Sequence, residues 1–110
     1  MNTKLVESLA EAINALSADD YSLFHSTLID RAIQKTVGVC GGYARVRNTR
    51  IAVWTLISLT DQGMDDDALL ENFPGLTYFD MLAVRLYYQA NRQEINSLIL
   101  SHHSDDGWDV

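Results

Sequence analysis

Leu5, Leu9, Ala12, Ile13 and Leu16 recur at the three-and-four spacing of a single helix face, which predicts an amphipathic helix over residues 3–18. Asp19 and Asp20 then mark its end. The next stretch, "YSLFHSTLIDRAIQKTV", carries no single period: Tyr21, Leu23 and His25 alternate, while Leu28, Ile29 and Ile33 suit a short turn or strand. Residues 33–37 and 43–46 read as two short strands, and Gly38, Gly41 and Gly42 between them allow the positive φ of a connecting loop. From Ala52 the period lengthens again. Val53, Trp54, Leu56, Ile57 and Leu59 make a short helix that is apolar on most sides and therefore central.

Gly63 stands where that helix needs a C-terminal cap, and Asp65 caps a second helix whose first-turn acids suit the helix dipole. Pro74 and Gly75 break the chain, with Gly41 and Gly42 as the other structural turn. Thr77 and Asp80, three apart, open a third helix with a capping-box pattern. Phe79, Leu82, Ala83, Leu86, Tyr87 and Ala90 give it an apolar face. Asn91 and Glu94 repeat the capping spacing before a last helix carrying Ile95, Leu98, Ile99 and His102, and "SHHSDDGWDV" reads as a frayed tail. Three short helices at about 52–61, 65–72 and 78–90 form a helix-turn-helix plan, whose third helix is the one that would read a DNA groove.

Composition narrows the functions. The 110 residues fit one domain, and no apolar run approaches the roughly 20 residues of a membrane span. The N-terminus carries two glutamates within its apolar pattern, unlike a secretory signal, and one cysteine cannot close an internal disulfide. A cytoplasmic location follows as the expectation. The net charge of −7 argues against non-specific nucleic-acid binding, yet it is unevenly placed. Arg31, Lys35, Arg45, Arg47 and Arg50 put +5 in a central block without acids, between arms of −4 and −8.

Arg45, Arg47, Asn48, Thr49 and Arg50 are the candidate nucleic-acid or partner-binding residues. In a strand Arg45 and Arg47 share a face, and three readings stay open: phosphate contact, contact with an acidic partner, or charge that blunts a sheet edge. Asn48 and Thr49 suit a helix cap or turn better than base reading. Gly41 and Gly42 suit a turn better than an anion nest, since no phosphate-loop lysine or dinucleotide spacing follows. Cys40 reads as a small buried hydrophobe, Asp65–Asp67 as a dipole-matched helix start, and Trp54, Tyr87 and Tyr88 as core or interface aromatics. His102 and His103 beside Asp105 and Asp106 belong to the tail rather than to a metal site. No catalytic constellation, metal site or cofactor motif is expected.

"GVCGGYARVRNTRIAVWTL", followed by "QGMDDDALLENFPGLTYFDMLAVRLYYQANRQEI", resembles the bacterial family known as domain of unknown function 433. The resemblance rests on the C-G-G, the R-N-T-R-I-A-V-W, the later glycine, the aromatic-Pro-Gly-Leu-Thr and a closing helix with an aromatic pair and glutamate, over about residues 33–95. It departs in lacking prolines near Val37 and Ala52. The resemblance implies a mostly α fold: a homeodomain-like tri-helical helix-turn-helix unit preceded by a short β element, with extra N- and C-terminal helices. It divides a single domain, 1–110, into an N-terminal helical extension (1–32), the family-like core (33–96) and the end of the last helix with its tail (97–110). It further implies a non-enzymatic, antitoxin-like regulator that binds a PIN-type, nuclease-like toxin and operator DNA. A protein-interaction module without nucleic-acid binding is the alternative. The unpaired edges of the short strands and the apolar N-terminal helix predict a homodimer.

Overall fold

The computed structural model describes residues 1–108, with side chains through residue 103. Six helices run in the order α1 (Thr3–Asn14), α2 (Ala18–Ala32), α3 (Val53–Asp61), α4 (Asp66–Asn72), α5 (Tyr78–Ala90) and α6 (Arg92–Trp108). Between α2 and α3 lie two two-residue strands, β1 (Ile33–Gln34) and β2 (Arg45–Val46), paired antiparallel with Ile33 opposite Val46 and Gln34 opposite Arg45. The mostly helical fold with a short β element is as expected.

The core gathers on α5. Val53, Leu56 and Ile57 of α3, Leu69 of α4, Met81, Val84 and Tyr87 of α5 and Ile95 of α6 pack with Ala44 and Val46. α2 covers a further face of α5, and α6 lies along α3. Helix starts follow the local chemistry. The Asp65 carboxylate accepts from the Ala68 amide at 2.9 Å, and Thr77 and Asp80 form a complete capping box. Gly63, at φ +106, ends α3 in the left-handed region.

Three expectations change. The ambiguous stretch is helical: α2 begins where the Ser17 hydroxyl accepts from the Asp20 amide, with Asp19 and Asp20 in its first turn and Arg31 in its last. For the same reason α1 stops at Asn14 and does not run to 18, since Ser17 caps the following helix. The strands are shorter than 33–37 and 43–46 because only two residues on each side find a partner.

The third change concerns the last helix. The Asn91 side chain does not cap it. Its amide donates back to the Tyr87 carbonyl at 3.0 Å, while Glu94 accepts from the Tyr87 hydroxyl and Lys35. His102 lies on the last helix as expected, and α6 continues through Trp108, so His103 too sits on a helix and not in a frayed tail. The side chains of Asp105 and Asp106 fall outside the described residues. No helix among the described residues is long and apolar enough to cross a membrane.

Candidate functional site

The segment from Cys40 to Trp54 forms a turn, one short strand, a second turn and the entry to α3. Cys40, Gly41 and Gly42 follow one another with φ of 50°, 66° and 80° in a single 3-10 turn. A Cβ on Gly41 would stand 3.0 Å from the Tyr43 ring, which would have to shift slightly, and the φ of 66° favours glycine there in any case. The Gly42 and Tyr43 amides donate to the Val39 and Cys40 carbonyls. With those amides engaged, the glycines make a turn rather than an anion cradle.

The three arginines part company. Arg45, on β2, is 5% exposed and turned inward. Its Nη1 donates to the Arg47 and Thr49 carbonyls at 2.6 and 3.1 Å, and Nη2 to the Thr36 hydroxyl at 2.9 Å. Its Nε is buried with no partner among the described residues. The guanidinium thus holds the 47–49 turn together from inside, using the carbonyls that turn leaves unpaired.

Arg47 does not share a face with Arg45. Its φ of 40° ends the strand, so the alternation of side chains stops there. Nε and Nη2 of Arg47 donate to the two oxygens of Asp80 at 2.9 and 2.8 Å, and Nη2 also donates to the Gly75 carbonyl at 2.6 Å. Asp80, buried at the start of α5, further accepts from the Thr77 amide at 2.9 Å. One bidentate pair therefore ties the turn to the Pro74–Gly75 bend and the first turn of α5.

Asn48 and Thr49 complete the turn. The Thr49 hydroxyl donates to the Val46 carbonyl at 2.6 Å and accepts from the Ile51 amide at 3.1 Å, while α3 begins with no side-chain cap. The turn reading of the pair is the one realised; no helix cap forms.

Arg50 alone among the three is exposed, with no hydrogen bond or ion pair among the described residues. It borders a cleft of about 340 Å³ lined also by Cys40, Tyr43, Trp54, Thr55 and His102. Trp54 and His102 stack at 4.0 Å between ring centroids, and Tyr43 meets His102 edge-on at 6.3 Å. His102 Nδ1 lies 2.7 Å from the Leu98 carbonyl, which makes it the donor. A cation beside a wall of three rings is suited to a carboxylate with an apolar neighbour. The sequence pointed to Arg50 and placed His102 on the last helix. It did not point to the cleft, because no local spacing shows that α6 lies along α3 and brings His102 onto Trp54.

α5, in the place of a reading helix, is poorly arranged for DNA. α2 and α6 pack against it, Arg85 is paired with Asp66, and the Tyr78 hydroxyl is bonded to Asp67. Its outer stripe is Phe79, Leu82 and Leu86, which is apolar. Among the described residues no group of three or more His, Cys, Asp or Glu side chains is placed to hold a metal ion.

The profile of a family described as "Protein of unknown function (DUF433)" matches residues 33–88, which includes every element of this site except α6. The chain is also similar to a solved structure, the crystal structure of a DUF433 member protein from Anabaena variabilis ATCC 29413. Identity is 45%, covering 91% of this chain and 99% of that one, with a TM-score of 0.63. No curated protein matches the chain.

Proposed function

The chain belongs to the DUF433 family, and from that premise we propose that it is a non-enzymatic, antitoxin-like regulator of the cytosol, which grips a small nuclease-like toxin through the face around Arg50. The observation that supports this most is the fate of the three arginines. Arg45 and Arg47 are bonded within the fold, and Arg50 is left beside Tyr43, Trp54 and His102. Arginine with neighbouring aromatic rings is the composition of protein-interface hot spots, and its planar fork matches carboxylates. A nuclease-like toxin whose active site is built of acids presents that chemistry.

The same facts favour a protein partner over operator DNA. Phosphate binding draws its strength from the number of cations brought to the backbone. Here Arg47 is paired with Asp80 and Arg45 is buried, which leaves Arg50 as the one exposed and unpaired arginine of the motif among the described residues. If DNA binds, its affinity falls with salt at a slope corresponding to about two phosphates or fewer. A fluorescence-anisotropy titration between low and physiological salt measures this. A steep slope from many phosphates puts the regulator of transcription ahead of the toxin-binding role.

The direct test is capture of the chain from its host at moderate salt, comparing the unaltered protein with Arg50→Glu. A nuclease-like protein in near-equal amount, captured at least tenfold less by Arg50→Glu, supports the reading. Equal capture by both proteins removes Arg50 from the interface and the argument with it.

A further inference from the structure

We infer that two copies of this chain pair by exchanging α1, each laying its apolar stripe into the groove between α2 and α5 of the other. α1 is a complete helix of 12 residues, yet none of them is buried. Leu5, Val6, Leu9 and Ile13 stand 54%, 64%, 56% and 40% exposed on it. An isolated helix of that length is marginal in water, and its stability comes from covering such a stripe. Within its own chain nothing buries that stripe. The Ala15 and Leu16 amides continue the helical bonding to Glu11, Ala12 and Ile13, and the chain with α1 is elongated, 52 × 30 × 23 Å.

The same chain displays a matching seat. Tyr21, Phe24, His25, Leu28, Leu82, Leu86 and Gln89 line an open groove of about 340 Å³ along α2 and α5, and Ile13 of α1 borders it. The stripe of one α1 and its own groove thus form one apolar band. A two-fold axis across that band places each helix on the other copy's groove, the same patch meeting itself.

Charge permits a second copy as the occupant, and the continuity of stripe and groove on one chain selects it. The chain carries −7, so two copies repel through most of their surface. This groove has no carboxylate, lysine or arginine among its lining residues. It is a face where a like-charged copy can approach closely. The area suffices as well: a 12-residue helix is about 18 Å long and about 10 Å wide. Two such helices half-covered, with the two groove walls beneath them, remove on the order of 1,100 Å² from water, just above the roughly 1,000 Å² that a specific interface clears.

Sedimentation of the full chain between about 10 and 100 µM should give twice the 12.4 kDa chain mass. Leu9→Glu on α1 and Leu82→Glu in the groove, each exposed in the single chain, should each weaken association at least about 100-fold while the far-ultraviolet spectrum stays helical. In a Cys40→Ser background, a Leu9→Cys chain mixed with a Leu82→Cys chain should cross-link to each other on mild oxidation. A monomeric mass at 100 µM overturns the inference. So does a dimer that survives both glutamate variants, or cross-linking of Leu9→Cys only to itself, which places α1 against α1. The inference stands apart from the antitoxin-like reading: Arg50→Glu should keep the dimer mass, and a monomeric mass would leave toxin capture intact.

Discussion

Arg47 sits at φ 40°, a left-handed backbone that residues with a Cβ adopt at a cost, and its side chain is what keeps it there. Its fork closes on both oxygens of the buried Asp80, and removing either partner leaves the other's hydrogen bonds unmade. Arg47→Ala and Asp80→Ala are each expected to lower stability by about 2–3 kcal/mol, whereas Arg50→Ala stays within about 0.5 kcal/mol. Urea unfolding of the three variants checks this. Arg47→Lys should recover little, because an ammonium cannot reproduce the fork. Acid sensitivity follows from the same pair. Burial alone would raise the Asp80 carboxyl, but hydrogen bonds from Arg47 and Thr77 outweigh it and hold the group below its usual range. A carboxyl depressed in the folded chain stabilises fully above its unfolded value near 3.9, and that stability is lost as pH falls through the folded value. Melting temperatures from pH 6 down to pH 2 should therefore fall less steeply for Asp80→Asn than for the unaltered chain.

α5 shows which elements a sequence announces. Its buried face lies one step from the expected one: Met81 and Val84 are buried beside Ala83 and Tyr87, while Phe79 and Leu82 are exposed. Its capping box and its limits, by contrast, lie within 14 neighbouring residues, and Thr77→Ala is expected to cost about 1 kcal/mol in a thermal melt. α3 and α4 were legible for the same local reason. α2 was not, because its outward Tyr21 and Leu23 mimic strand alternation, and its buried residues, Leu28 and Ala32, acquire meaning only against α5. Ser17 followed by Asp20 was the available sign, obscured because the preceding helix pattern ran over it. At the site, local spacing marked the arginines as a group but could not divide them. Asp80, 33 residues along the chain from Arg47, settles one, and the carbonyls of the 47–49 turn settle another. The cleft depended on His102 lying against Trp54, which only the packing of α6 along α3 brings about. His102→Ala should open the face of Trp54 to water, visible as greater access of iodide to tryptophan, with little change in stability.

The whole molecule has two layers of connectivity. α3, α4 and α5 follow one another through short turns, while α2, which covers α5, comes from before the entire motif segment. Bringing α2 to α5 closes a loop on the order of 60 residues, a cost that precedes any return from the contact. Order of assembly is the consequence. The tri-helical unit should gather first, with α2 closing over it afterwards. Leu69→Ala, inside that unit, is expected to slow refolding, whereas Leu28→Ala, on α2, should mainly hasten unfolding while leaving the refolding arm nearly unmoved. Chevron plots of the two variants separate these outcomes, and equal slowing of refolding by both would mean that α2 is already in place at the barrier. The packing of α2 against α5 in the finished molecule is thus the step that fixes how long an encounter-ready, half-built chain survives.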